Sequence, residues 1–139
     1  MAKVTDVRVA GVRLYFLPVT TRVPLKFGKE TLTSVTCARA AVRLQDKQGR
    51  FAEGWGETPL SVQWVWPSTL PYEERHVALT TFIEMLAKEF RDFDSSGHPL
   101  EIGWDFIDHD LPRLLKRFNK DRAEEAAMPW LAALVCFSA

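Results

Sequence analysis

The sequence predicts an α+β domain, a three-stranded antiparallel meander followed by a helical bundle. Three observations carry this. Apolar residues alternate with polar ones over much of the first half, they recur at helical spacing from Val77 to Phe118, and Pro67 and Pro71 stand where the period changes. Strands are expected over about residues 4–59 and helices over about 72–118.

The first strand shows two phases. Val7 and Val9 share one parity, whereas Val12, Leu14 and Phe16 share the other, with Gly11 between them. One extra residue moves an apolar set to the opposite face, so a bulge or kink is expected at Gly11. The second strand has Leu32, Ala38, Ala40, Val42 and Leu44 on even positions and Arg39 and Arg43 on odd ones, the pattern of a half-buried strand. Asp46-Lys47-Gln48-Gly49-Arg50 then makes a tight turn, its glycine supplying a positive φ, and Phe51 to Glu57 returns as the third strand.

Beyond the prolines, Glu73 and Glu74 suit a helix N-terminus, and Val77, Leu79, Phe82, Ile83, Leu86 and Phe90 form one stripe. Asp94 to Pro99 marks the next boundary. A second stripe runs through Leu100, Trp104, Ile107, Leu111, Leu114, Leu115 and Phe118, with Pro112 as a kink or restart. Met128 to Ala139 opens with Pro129 and is apolar nearly all round, so it is expected to be covered on every face and to lead into further chain.

Composition narrows the function classes. Eighteen Lys and Arg balance eighteen Asp and Glu, which gives bulk charge no part in binding nucleic acid or an anionic membrane. A chain of 139 residues suits one domain with one core. No apolar run reaches the roughly 18 residues a spanning helix needs, and the start lacks a signal-type apolar core, so a cytoplasmic protein is expected. Cys37 and Cys136 are isolated and read as small core residues.

Asp105, Asp108 and His109 share a helix face at i, i+3 and i+4, a spacing that suits a metal but equally the wet side of an amphipathic helix, which is the reading preferred. Arg113, Lys116, Arg117 and Lys120 complement a helix C-terminus. His76 and His98 read as a helix surface and a turn. No serine or cysteine has histidine and acid partners at a recognisable spacing.

The long first strand, the segment Thr20-Thr21-Arg22-Val23-Pro24-Leu25-Lys26-Phe27-Gly28, the Asp46-x-x-Gly49 turn and Gly54-Trp55-Gly56-Glu57 occur in an order that resembles the N-terminal capping domain of the enolase superfamily, in its mandelate racemase and muconate lactonizing enzyme group. The resemblance implies a capping domain over residues 1–127, with 128–139 beginning the helix that leads into a (β/α) barrel. That barrel would hold Mg2+ and the acid/base residues, none of which can be placed on this chain. Within the chain no cofactor is expected, and the partner implied is a small carboxylate substrate.

Family members close their barrel with the loop between the first two strands and the loop after the third, matched here by Thr20 to Gly28 and Gly54 to Leu60. The residues expected to contact substrate are Arg22, Lys26, Phe27, Trp55 and Glu57, with Gly28 as a hinge. Glu57 is preferred as an acceptor of backbone N–H groups that fixes its loop, and Trp55, Trp64 and Trp66 add aromatic weight around it. The parent would abstract a proton alpha to a carboxylate, and this chain alone would be inactive. The rival reading is a stand-alone α+β binding or interaction module, and a small complete enzyme is the weakest alternative. Self-association through the apolar last helix is a further expectation.

Overall fold

The computed structural model describes residues 3–27 and 30–139. A four-stranded antiparallel sheet in the order β3-β2-β1-β4 carries a layer of helices on one face. Its strands are β1 (Val7–Phe27), β2 (Glu30–Asp46), β3 (Phe51–Pro59) and the two-residue β4 (Ser96–Gly97). The α+β class, the meander and the helices that follow it are as the sequence predicts. The fourth strand falls in the segment expected to be only a boundary, where it pairs with Val7 and Arg8.

β1 runs for 21 residues because two irregularities let it bend. Val9 faces Leu44 and Gly11 faces Arg43, which leaves Ala10 as the extra residue, one position before the Gly11 at which the change of phase puts the bulge. Farther on, Thr20 faces Ser34 and Leu25 faces Leu32, so four residues bulge out against Thr33 alone. The Thr21 hydroxyl donates to the Thr33 carbonyl at 3.1 Å across this bulge, and Pro24, which has no N–H to pair, sits within it.

The β2–β3 turn follows from Asp46. Its carboxylate accepts from the backbone N–H groups of Gln48 and Arg50, both at 2.9 Å, and from the Arg50 guanidinium at 2.7 Å, while Gly49 adopts φ +79°. These donors hold the Asp46 carboxyl below the usual aspartate range, the Arg50 N–H foremost. Asp6, bonded to the Lys47 ammonium at 3.0 Å and to the Lys3 N–H at 2.7 Å, is lowered likewise, by Lys47 foremost.

The helical layer consists of α1 (Val62–Val65), α2 (Tyr72–Arg91), α3 (Pro99–Asp105), α4 (Leu111–Asn119) and α5 (Trp130–Phe137). α2 and α5 cover the inner face of the sheet, where Ala38, Leu79, Phe82, Ile83, Ala132, Ala133 and Cys136 form the core with Leu14 and Phe16 packed against it. Both cysteines are buried and free, as expected. Asn119 closes the connection to α5 by bonding both backbone groups of Met128 at 2.9 Å. Buried Arg75 donates to the Trp66 carbonyl at 2.6 Å, tying α1 to α2.

Two parts of the predicted stripes are corrected. Val77 is exposed, and Ala78 takes the buried position on α2. Leu100 and Trp104 are also exposed, while Ile102 and Phe106 are buried. The cause is a π-helical turn over Phe106–Asp110, where the Leu111 N–H reaches the Phe106 carbonyl. This turn inserts one residue into the 3.6 period. Pro112 then lies in the first turn of α4, the restart its ring favours.

α5 buries Ala132, Ala133 and Cys136 on one side, whereas its Trp130 and Leu131 remain partly exposed, so it is not enclosed on every face. Its end is joined to the sheet, with the Ser138 hydroxyl 3.1 Å from the Thr58 hydroxyl and the Ala139 backbone lying over Gly56. No helix of the described residues is long and apolar enough to cross a membrane.

Phe106 is fully buried, edge-on to Phe90 and Phe93 and stacked with Phe137. Phe106→Ala is expected to lower the unfolding free energy by about 3–5 kcal/mol in urea titration. The lowered carboxyls give stability that is complete above the unfolded-state pKa, about pH 4, and is lost as pH falls through the folded-state values. Asp46→Asn should therefore flatten the decline in stability below about pH 4 when unfolding is followed against pH.

Candidate functional site

The two segments expected to be loops are strands. Thr20 to Phe27 continues β1 as a two-stranded ribbon with Glu30 to Ser34, and Gly54 to Pro59 lies within β3, followed by fully buried Leu60. The ribbon continues because backbone pairing resumes beyond the bulge, whereas the polar, proline-containing sequence alone reads as a loop. β3 ends opposite Cys37, so the ribbon runs on past it. Arg22 and Lys26 are exposed on this ribbon. The side chain of Phe27 and the whole of Gly28, expected as a substrate contact and a hinge, lie outside the described residues.

Trp55 and Glu57 stand elsewhere, on the outer face of the sheet. Tyr15 pairs across β2 with Arg39 and hence with Glu57, seven residues before Arg22. At about 3.3 Å per residue this places Arg22 on the order of 20 Å along the strand from Glu57. The expected substrate contacts therefore do not converge.

The outer face has its own order. Tyr15 on β1 and Trp55 on β3 stack with ring centroids 5.9 Å apart, crossing β2 where Ala41 offers only a methyl group, itself 2% exposed. Arg13 lies over the Trp55 ring at 5.8 Å and pairs with Glu53 at 2.7 Å. Arg39 pairs with Glu57 at 2.6 Å, and Arg43 lies over Phe51 at 4.0 Å. Glu57 thus accepts from a guanidinium, which corrects the expectation that it would bind backbone donors. Trp64 is exposed and Trp66 is buried among core residues.

A groove of about 240 Å³ opens where the ribbon leaves the sheet, between Thr20, Ser34 and Thr36 on one side and Tyr72, Glu73 and His76 of α2 on the other. His76 Nε2 lies 2.9 Å from the Thr36 hydroxyl, and its ring stacks on Tyr72 at 5.7 Å. Burial, and secondarily Glu73, push the Tyr72 phenol above its usual value. His76 therefore anchors the ribbon's base, a role beyond the helix surface expected of it. The i, i+4 spacing of Tyr72 and His76 is its one sequence signal.

Neither thiol suits nucleophilic chemistry. Burial and the neighbouring Glu57 push the Cys37 thiol up, and burial pushes Cys136 up to about 12. Asp105, Asp108 and His109 are exposed and form no pocket for a cation; His109 Nδ1 lies 3.1 Å from the Asp105 carbonyl. Among the described residues no three His, Cys, Asp or Glu side chains are grouped to hold a metal.

No family model and no curated sequence matches the chain. Among solved structures it aligns with a dipeptide epimerase from Cytophaga hutchinsonii at 16% identity and TM-score 0.42, over 93% of this chain and 28% of that one. It aligns with a dipeptide epimerase from Enterococcus faecalis V583 at 13% identity and TM-score 0.42, over 93% and 30%. A mandelate racemase/muconate lactonizing protein from Herpetosiphon aurantiacus aligns at 13% identity and TM-score 0.40, over 98% and 30%. The chain thus spans less than a third of the length of these structures.

The Arg39–Glu57 pair is exposed on both sides, which limits its worth. Glu57→Gln is expected to change the unfolding free energy by less than about 1 kcal/mol in thermal or urea unfolding.

Proposed function

We propose that this chain is the capping segment of an enolase-superfamily enzyme of the mandelate racemase and muconate lactonizing type, and that its part is to enclose a substrate whose chemistry is done by a barrel. The observation that supports this best is the β1–β2 ribbon. It leaves the sheet past the end of β3 and carries the exposed cations Arg22 and Lys26 beyond a polar groove at its base. Such an arm fits a lid on an anionic substrate. Its backbone pairing continues that of the sheet, and two cations along it offer charge to a carboxylate group.

In this reading the parent abstracts a proton alpha to a carboxylate in the cytoplasm, and Mg2+, which residues of the barrel would hold, would supply positive charge for the anion that develops. What this chain adds is exclusion of water and contact with the distal end of the substrate, both of which strengthen electrostatic stabilisation inside the site. The exposure of Arg22 and Lys26 on the ribbon supports assigning that contact to them. These cations act on binding and on substrate choice, while the proton transfer belongs to groups beyond this chain.

The test has two arms. The 139-residue chain, incubated in D2O with Mg2+ and a panel of carboxylates, is expected to exchange no alpha proton by NMR; turnover would show a catalytic site within the chain and overturn the reading. In the full parent, Arg22→Ala is expected to raise KM for the preferred substrate by about tenfold with kcat little changed. An unchanged KM and substrate profile would remove the lid role.

A further inference from the structure

β3 is an edge strand of nine residues, and among the described residues nothing pairs with its outer side. Phe51 to Trp55 are all exposed, including the Phe51 and Trp55 rings at 51% and 57%. An unpaired edge of this length is a template for another strand unless something blocks it. The bulges that bend β1 have no counterpart on β3, whose pairing with β2 is regular from Phe51 to Pro59. Its proline is confined to the last position.

The pattern along this edge favours a second copy of the same chain. An isologous antiparallel pair about an axis normal to the sheet keeps the outer faces of both copies together. Centred on Trp55, such a pair would set Glu53 directly against Glu57 of the second copy, twice, which like charge disfavours. Centred on Gly56, it would bring together the Ala139 residues of both copies, each of which already covers its own Gly56, since a Cβ there would lie 2.7 Å from the Ala139 carbonyl carbon.

Centred on Gly54 the pairing meets neither obstacle. Trp55 faces Glu53 of the second copy, Phe51 faces Glu57, and Gly56 faces Ala52. A Cβ at Gly54 would have nothing within 4 Å. Arg13, which already pairs with Glu53 and lies over Trp55, continues the layer of aromatic rings and ion pairs across the axis.

We infer that β3 forms a continuous sheet with a second copy of this chain through antiparallel pairing centred on Gly54. The contact is a strand edge with its flanking rings, smaller than a standard interface, and its affinity falls in the micromolar range.

Three measurements on the 139-residue chain test this. Sedimentation equilibrium should show a reversible dimer at high-micromolar concentration. Trp55→Glu places a carboxylate against Glu53 of the second copy, and Trp55→Lys places an ammonium there; both lose the same stack on Tyr15. Dimerisation should be about tenfold weaker for the glutamate than for the lysine variant. Gly54→Cys should form an intermolecular disulfide on mild oxidation, because directly opposed residues lie about 4.5–5.5 Å apart between Cα atoms and the native thiols are buried. A monomer at every concentration, equal dimerisation of the two Trp55 variants, or no cross-link at position 54 would each overturn the inference. So would a dimer abolished by Leu131→Arg on α5 but indifferent to charge at position 55.

Discussion

Ala38 and Ala40 put only methyl groups on the inner face of the central strand, and the rest of the molecule is arranged around the space this leaves. α2 and α5 approach that face with Leu79, Phe82, Ile83 and Cys136, while the larger Leu14 and Phe16 of β1 fill in from the side. Small residues opposite large ones are what lets a helical layer interdigitate with a twisted sheet. Since no strand here could stand alone in water, the length of β1 and β2 depends on this one contact. The ribbon beyond it is held differently, by backbone pairing and by the stack of His76 on Tyr72 at its base.

Most of the fold was legible because period and punctuation agreed. The change of parity around Gly11 located the bulge, and Asp46 with Gly49 located the turn, since each has a single local cause. The helical error was equally local. Counting back from Leu111 in steps of three and four selects Ile107, Trp104 and Leu100, whereas the π-helical turn makes one step five and selects Phe106 and then Ile102. Nothing in the residue types of 106–110 announces that step; the helix widens next to Pro112, whose missing N–H and bulky ring disfavour an ordinary turn.

The candidate site was legible only in part, for a different reason. Thr20 to Lys26 contains proline and polar residues and has no face to bury, so it offers no alternation by which to recognise a strand. β3 is predicted from Phe51 to Glu57, and only the resemblance turns its stretch from Gly54 onward into a loop. Residues close to a motif in sequence were then expected to work together, whereas the register puts Trp55 and Glu57 on the broad face of the sheet and Arg22 and Lys26 out along the ribbon. The partnership of Tyr15 with Trp55 spans an intervening strand. Its trace in the sequence is Ala41, a small residue set between Arg39 and Arg43 on an otherwise polar face.

The contact between the Ser138 and Thr58 hydroxyls joins the end of α5 to β3 across eighty positions. During synthesis the meander is complete before α5 exists, so its apolar underside is shielded only by α2 until Trp130–Phe137 emerges to close it. Such a chain matures in an order opposite to the one in which it is read, its earliest strands being the last to become secure.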